Sequence, residues 1–175
     1  MRNGYYTSFR LSILIAVFTL VLVASCDAAW VRALYVLDGD SVIVEDPDNA
    51  GGRIEVRLIG IDAPEMGQEP WGRRAKVHLK ALFRKFGSSV QLQYDVERRD
   101  RYGRVLAYLW TRSGVLLNLR MVADGYAIAY TVPPNVLHAD RIADAQKKAR
   151  QHHAGLWKCD VFETSPQQWR LEHPR

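Results

Sequence analysis

Charged and aromatic side chains cluster in a few short segments that are rich in turn-forming residues. These segments are DGDS (38–41), RLIGIDAPE (57–65), DRYGR (100–104) and YTVPPN (130–135). Asp40 and Asp62 each stand beside a stretch with strand character, so their carboxylates would be presented at strand ends. Carboxylate oxygens are ligands that hard divalent cations prefer. The pattern therefore predicts a cation-assisted reaction on an anionic substrate.

The arginines of the same segments are suited to a phosphate. Arg57 and Arg104 can bind phosphate oxygens with two parallel hydrogen bonds and stabilise charge that develops there. Glu65 follows Asp62 by three residues and can activate or position a water molecule, and Pro64 stiffens the loop between them. The set predicts hydrolysis of a phosphodiester bond.

Each residue also has a simpler structural explanation when it is taken alone. The alternatives are a hairpin turn at Asp38-Gly39 with Asp40 solvated beside it, surface acids at Asp62 and Glu65, a pair between Arg57 and Glu55 or Glu45, and a pair between Arg104 and Asp100. Only the ordered combination of these residues favours a catalytic site.

The elements that must position these residues are short strands and amphipathic helices. Alternating patterns predict strands over 31–37, 41–45, 53–60, 90–96 and 104–110 and a short extended piece over 126–130. Apolar residues at helical spacing predict helices over 71–86, ended by Gly87, and over 116–124 and 136–153. Strands with a helix inserted after the third predict an α+β fold, a five-stranded OB-type barrel with three helices. We expect residues 158–175 to form a loosely held tail, which leaves residues 30–157 as the folded domain.

The first 26 residues have the pattern of an export signal. Arg2 and Arg10 precede an apolar run over 11–24, which is too short to span a bilayer. The following Val23-Ala24-Ser25-Cys26 resembles a bacterial lipobox, so we expect acylation at Cys26 and an envelope-anchored or periplasmic protein. Ordinary cleavage with secretion and an uncleaved anchor are the alternatives.

Composition limits the remaining function classes. The chain has 175 residues, 48% of them hydrophobic, which suits one globular domain rather than a disordered chain. Two cysteines are too few for a disulfide scaffold or a four-cysteine zinc site. The formal charge of +5 falls to +3 when the leader is removed with its two arginines. This mild basic excess permits nucleic-acid binding without requiring it.

Several of these segments, in this order, resemble the staphylococcal nuclease (thermonuclease) family. They are LDGDSV (37–42), VRLIGIDAPE (56–65), DRYGRVLAYLW (100–110), YAIAY (126–130) and AQKKARQHHAGLW (145–157). The resemblance extends from about Val31 to Trp157. It implies an OB barrel with three helices and a monomeric enzyme that hydrolyses DNA and RNA with one calcium ion, leaving 3′-phosphate and 5′-hydroxyl ends. Another hard divalent cation is compatible with the same residues.

The resemblance also implies roles for single residues. Asp40, Asp62 and the carbonyl of Ala63 would bind the calcium ion, and Arg57 and Arg104 would grip the phosphate. The family has threonine at the position of Ala63, but its role there is carried by the backbone, so we expect metal binding to survive.

Further residues would assist around this centre. Glu65 would be the general base or orient the water, and Asp38 would support the metal ligands from behind. Tyr102 and Tyr130 would line the nucleotide pocket, and Arg101 with its neighbouring arginines would steer nucleic acid. The family's second pocket tyrosine is replaced by Val132, and its lysine-rich loop is absent from 66–74.

Two other classes of protein fit parts of the pattern. One is a nucleic-acid-binding module without catalysis, against which the complete set of acids and arginines argues. The other is an OB-fold protein of the envelope that binds a protein or glycan partner.

Overall fold

The computed structural model describes residues 30–159 and 164–174. The predicted signal peptide and Cys26 lie outside the described residues. The strands are β1 (Trp30–Val36), β2 (Ser41–Glu45), β3 (Arg53–Leu58), β4 (Gly60–Asp62), β5 (Ser89–Gln93), β6 (Val105–Thr111) and β7 (Ile128–Tyr130). The helices are α1 (Trp71–Phe86), α2 (Leu117–Ala123), α3 (Ala139–Gln151) and α4 (Pro166–Glu172), with a 3₁₀ turn over Gly155–Cys159.

Five of the strands in the described part close into a barrel in the order β1-β2-β3-β6-β5. Its neighbouring strands run antiparallel, except for the parallel pair β3 and β6. Strands β4 and β7 form a separate two-stranded sheet beside the barrel. The predicted OB-type barrel of the α+β class is confirmed.

The barrel forms because the alternating residues of its strands share one apolar core. Val42 and Val44 of β2 and Val56 and Leu58 of β3 are fully buried, while the residues between them point away. Removal of this apolar surface from water is the main favourable term in folding. Helix α1 has the predicted bounds and covers the core with its buried face, which includes Leu79.

Asn118 connects helix α2 to the barrel by hydrogen bonds. Its buried amide donates to the carbonyls of Ile59 and Ala107 at 2.8 and 3.2 Å, and its oxygen accepts the amide N–H of Leu109 at 2.9 Å. These bonds satisfy backbone groups that would otherwise be buried without partners. They also hold the chain at Ile59, between β3 and β4, where the catalytic candidates follow.

The C-terminal segment corrects the expectation of a loosely held tail for residues 164–174. Ser165 begins α4 because its hydroxyl accepts the amide N–H of Gln168 at 3.1 Å, and Pro166 occupies the first turn, where it needs no donor. This is a fourth helix within the described residues, beyond the three expected. Helix α3 is also shorter than the predicted 136–153.

The helices of the described part show no membrane-spanning candidate, because none of them combines sufficient length with sufficient apolar character.

Candidate active site

The pairing of β2 with β3 brings two of the predicted groups together. Ser41 lies opposite Arg57, and the N–H of Leu58 donates to the carbonyl of Asp40 at 2.8 Å. Arg57 Nη2 then lies 3.2 Å from Asp40 Oδ2 and 3.2 Å from Asp62 Oδ1. Two carboxylates from separate strand ends therefore converge on one guanidinium nitrogen.

The alternative partners suggested for Arg57 are engaged elsewhere. Arg32 binds Glu45, with Nη2 2.7 Å from Oε1, and Arg104 Nη1 lies 4.0 Å from Glu55 Oε1. Arg57 also donates from Nη2 to the carbonyl of Ile61 at 3.0 Å. Its guanidinium is thus held by β3, β4 and the Asp40 turn at once.

Asp40 is held by the backbone of the segment that follows β4. Its Oδ2 accepts the N–H of Ala63 at 2.7 Å, and Asp38 Oδ1 accepts the N–H of Asp40 itself at 3.0 Å. Gly39 allows the close approach, because a Cβ there would collide with the side chains of Ala63 and Ala75. Asp38 thus supports the turn, as both the hairpin and the supporting-role interpretations require.

Burial perturbs Asp40 strongly. It raises the pKa of this carboxyl to about 7, and the nearby Asp38 and Asp62 act in the same direction, although Arg57 and the N–H of Ala63 favour the charged form. The positive charge near Asp40 therefore does not offset the effect of burial on its ionised form. A cation placed against Asp40 would stabilise its ionised form.

Asp62 and Glu65 share a partner that the sequence analysis missed. Arg170 of α4 binds both oxygens of Asp62, at 3.1 Å from Nη1 to Oδ1 and 2.9 Å from Nη2 to Oδ2. Arg170 Nη1 also lies 2.7 Å from Glu65 Oε1. Hydrogen bonds to Asp62 and Glu65 raise the pKa of Arg170 above its usual value. The available signal was the helix-start pattern Ser165-Pro166 with Gln168 three residues after the serine.

The loop that carries Glu65 is built tightly onto the start of α1. Gln68 is buried and accepts the N–H of Glu65 at 2.8 Å through Oε1, while its own N–H donates to the carbonyl of Glu65 at 2.8 Å. A Cβ at Gly72 would collide with that same carbonyl. Glu65 therefore stands on a fixed backbone, although its side chain remains 21% exposed.

Arg104 precedes β6 and is oriented by the loop before it. In the parallel register Leu106 lies opposite Arg57, so Arg104 stands just before β6, two residues from the position opposite Arg57. Asp100 holds its guanidinium, with Nε and Nη2 each 2.8 Å from Oδ2. Burial alone would raise the pKa of Asp100, but hydrogen bonds from Arg104 and from two backbone amides outweigh it and lower the pKa. The suggested pair between Arg104 and Asp100 is therefore present.

The predicted substrate-binding residues lie on the 100–104 loop and on β7. Tyr102 is 68% exposed, and Arg101 donates to its hydroxyl at 2.6 Å and places its guanidinium 4.8 Å from the ring centre. Tyr130 of β7 is half-buried opposite Gly60 of β4, the strand that ends at Asp62. Val132 is exposed in the following turn.

Comparison with known proteins decides the family. The family described as Staphylococcal nuclease homologue matches residues 55–159, which is more than half of the chain. The chain belongs to the staphylococcal nuclease family. It is accordingly a nuclease, an enzyme of the hydrolase class.

Relatives from several bacteria show similarity over most of this nuclease. The thermonuclease of Staphylococcus hyicus is 34% identical over 131 residues, which cover 72% of this chain and 74% of the relative. The thermonuclease of Staphylococcus intermedius is 35% identical over 128 residues, 70% of this chain and 73% of the relative. An uncharacterized endonuclease of Escherichia coli is 36% identical over 140 residues, 79% of this chain and 83% of the relative.

The carboxylates of Asp40 and Asp62 are chemically suited to bind a hard divalent cation. Within residues 30–159 and 164–174, no group of three or more acidic, histidine or cysteine side chains is arranged to hold a metal ion. Asp40 and Asp62 nevertheless converge on one cationic nitrogen, both are nearly inaccessible to solvent, and Arg170 places a second positive group against Asp62. These two buried carboxylates thus contact two guanidinium groups. Carboxylate oxygens are also the ligands that hard divalent cations prefer, so the same pair is suited to bind such a cation.

Proposed function

We propose that this chain is a calcium-dependent nuclease that hydrolyses phosphodiester bonds of both DNA and RNA and leaves 3′-phosphate and 5′-hydroxyl ends. The convergence of Asp40 and Asp62 on Arg57 is the observation that carries the proposal. Membership of the nuclease family and the position of Glu65, three residues beyond Asp62, support it.

Asp40, Asp62 and the carbonyl of Ala63 would hold the cation. When bound, calcium supplies positive charge that offsets the charge of the attacked phosphate. The N–H of Ala63 donates to Asp40, so the backbone of Ala63 is held beside the carboxylates of Asp40 and Asp62. Another hard divalent cation would use the same oxygen ligands.

The remaining residues act on the phosphate and the water. Arg57 and Arg104 would bind the non-bridging oxygens and stabilise the negative charge that grows as water attacks phosphorus. Glu65 would accept the proton from that water. The bond from phosphorus to the 5′-oxygen breaks, its electron pair stays on that oxygen, and a proton taken up there completes the 5′-hydroxyl. The phosphate remains on the 3′-side.

The nucleic acid would approach over the 100–104 loop. Arg101 and the 68% exposed ring of Tyr102 offer a cation and a stacking surface beside Arg104. Base stacking on an exposed aromatic ring tolerates any sequence, which suits a nuclease that accepts both DNA and RNA. Tyr130 would contribute to the pocket from the β7 side.

Export is a separate part of the proposal. Acylation at Cys26 would tether this monomeric nuclease to the cell envelope, and cleavage without acylation would release it into the periplasm or medium. The short apolar run and the small residues before Cys26 support export. Mass spectrometry of the mature N-terminal peptide distinguishes an acylated Cys26 from a free N-terminus.

Product ends test the proposed reaction directly. DNA and RNA of defined sequence are digested in calcium by residues 27–175, and the fragments are given to a polynucleotide kinase without phosphatase treatment. We expect every new 5′-end to accept phosphate, because breakage on the 5′-oxygen side leaves a hydroxyl there. Fragments with 5′-phosphate ends would contradict the proposed bond cleavage, and tight binding without fragments would favour the non-catalytic module.

A further inference from the structure

The contact between α4 and the catalytic acids joins residues far apart in the chain. Arg170 makes a bidentate ion pair with Asp62, whose side chain is only 1% exposed, and a further ion pair with Glu65. Bidentate pairs between arginine and a carboxylate are among the stronger hydrogen-bonded contacts in proteins. The guanidinium therefore lies on the two acids that the proposed reaction needs.

Helix α4 is seated by more than this ion pair. A Cβ at Gly67 would lie 2.6 Å from Cη2 of Trp169, so the indole packs directly on the glycine of the Glu65 loop. His173 stacks on the same indole at 4.3 Å between ring centres, and its Nδ1 donates to the Trp169 carbonyl at 3.0 Å. Pro166 is buried at the start of the helix. The packing aims Arg170 at the site.

The contact conflicts with the proposed roles of both acids. While both oxygens of Asp62 accept hydrogen bonds from Arg170, a divalent cation must compete with this guanidinium for them, and the two positive groups would repel each other. Glu65 Oε1 already accepts a hydrogen bond from Arg170 Nη1 at 2.7 Å, so this oxygen is occupied while α4 is docked. Arg170 of the docked α4 therefore opposes the proposed roles of both acids.

We propose that α4 is an autoinhibitory cap, in which Arg170 occupies the acidic groups of the site until a divalent cation and substrate displace it. The inference rests on the proposed function, because it takes Asp62 as a cation ligand and Glu65 as the proton acceptor. The apparent affinity for the cation is then the intrinsic affinity multiplied by the fraction of molecules in which α4 is undocked.

Calcium affinity measured by calorimetry without nucleic acid tests the cap. Residues 27–175 are compared with Arg170→Ala, with Trp169→Ala, and with Arg84→Ala as a control that removes an exposed arginine at the far end of α1. We expect Arg170→Ala to bind calcium at least about fivefold more tightly, as is usual for a coupled site. Trp169→Ala keeps the charge but removes the docking contact, so it should shift affinity in the same direction. Arg84→Ala should match the unaltered chain.

Hydrogen exchange reports the position of the helix itself. In the unaltered chain, calcium should speed the exchange of the backbone amides of residues 167–172, since the cation releases α4. In Arg170→Ala this exchange should already be fast without calcium. The measurement does not depend on cleavage.

The outcomes separate the cap from the nuclease. Equal calcium affinity in the unaltered chain and Arg170→Ala, with unchanged exchange in α4, would overturn the cap and leave the proposed nuclease standing. Reduced cleavage in Arg170→Ala with unaltered calcium affinity would overturn it as well, and would make Arg170 a phosphate-binding group. Calcium binding by none of the variants would overturn the cap together with the calcium dependence.

Discussion

At the scale of single residues, Arg57 has the central position. It stands between Asp40 and Asp62, and its side chain is only 15% exposed. A guanidinium fixed in advance by neighbouring carbonyls and carboxylates needs little rearrangement when negative charge develops on a phosphate. The same contacts keep two nearly buried carboxylates paired in the absence of substrate.

Replacement of Arg57 should therefore affect turnover strongly. We predict that Arg57→Ala lowers kcat by about 10²–10³-fold or more, the usual consequence of removing a donor to the transition state. Arg104→Ala should behave alike, although its guanidinium is held by Asp100 rather than by the metal-ligand candidates. Single-turnover cleavage of a labelled oligonucleotide gives the rate, and thermal melting confirms that each variant is folded. Near-normal turnover in both variants would exclude the mechanism.

At the scale of elements, Asp124 ties two helices together. It accepts from Arg120 of α2 at 2.9 Å and lies 2.8 Å from His78 Nε2 of α1, and the His78 ring stacks on Tyr126 at 4.0 Å. Burial alone would raise the pKa of Asp124, but its bonds with His78 and Arg120 outweigh burial and lower the pKa. A carboxyl with a lowered folded-state pKa stabilises the fold when it is ionised.

The sign of this effect gives a pH prediction. The stabilisation from Asp124 is complete above its unfolded-state pKa of about 3.9 and is lost as pH falls through the lower folded-state value. Asp124→Asn should therefore be less stable than the unaltered chain at pH 6, and the difference should shrink between pH 4 and pH 2. Urea unfolding at these pH values measures it. A difference that does not change with pH would show that Asp124 acts without its charge.

The elements also show which parts of the fold can be predicted from the sequence. Helix α1 has its predicted bounds because an apolar stripe at helical spacing ends at Gly87, and β1 to β3 follow because alternation and turn residues agree. Strand β7 lies within the extended piece predicted over 126–130, whereas the sequence does not predict β4 as a separate strand, because its three residues are too few for a periodicity to be visible. Strand β5 ends at Gln93, before the predicted Val96.

The residues of the candidate site could also be predicted only in part from the sequence. The residue types of Asp40, Arg57 and Asp62 could be selected from local motifs, because each motif carries its own chemistry. Their convergence depends on the register of β2 against β3 and on the turn after β3, which no single segment determines. Arg170 reaches Asp62 across 108 positions of the sequence, so its role follows from the path of the chain and not from a local pattern.

At the scale of the whole molecule, the barrel and the C-terminal helix have opposite effects on the same acids. The barrel and β4 bring Asp40 and Asp62 to a common point, where they are buried enough to favour a cation. Helix α4 supplies a guanidinium to that point from the end of the chain. Under the proposed function, Arg170 thus competes with the cation for these acids.

The central claim is tested most directly by cleavage of single-stranded DNA with residues 27–175 in calcium and then in chelator. Glu65→Gln is assayed alongside Glu69→Gln, a control four residues further on whose carboxylate forms an exposed pair with Arg73. We predict cleavage that requires calcium, a loss of about 10²-fold or more in Glu65→Gln as for removal of a general base, and unaltered turnover in Glu69→Gln. Cleavage in chelator, or equal turnover in both variants, would contradict the assignment of Glu65 and the acids around it as the catalytic centre.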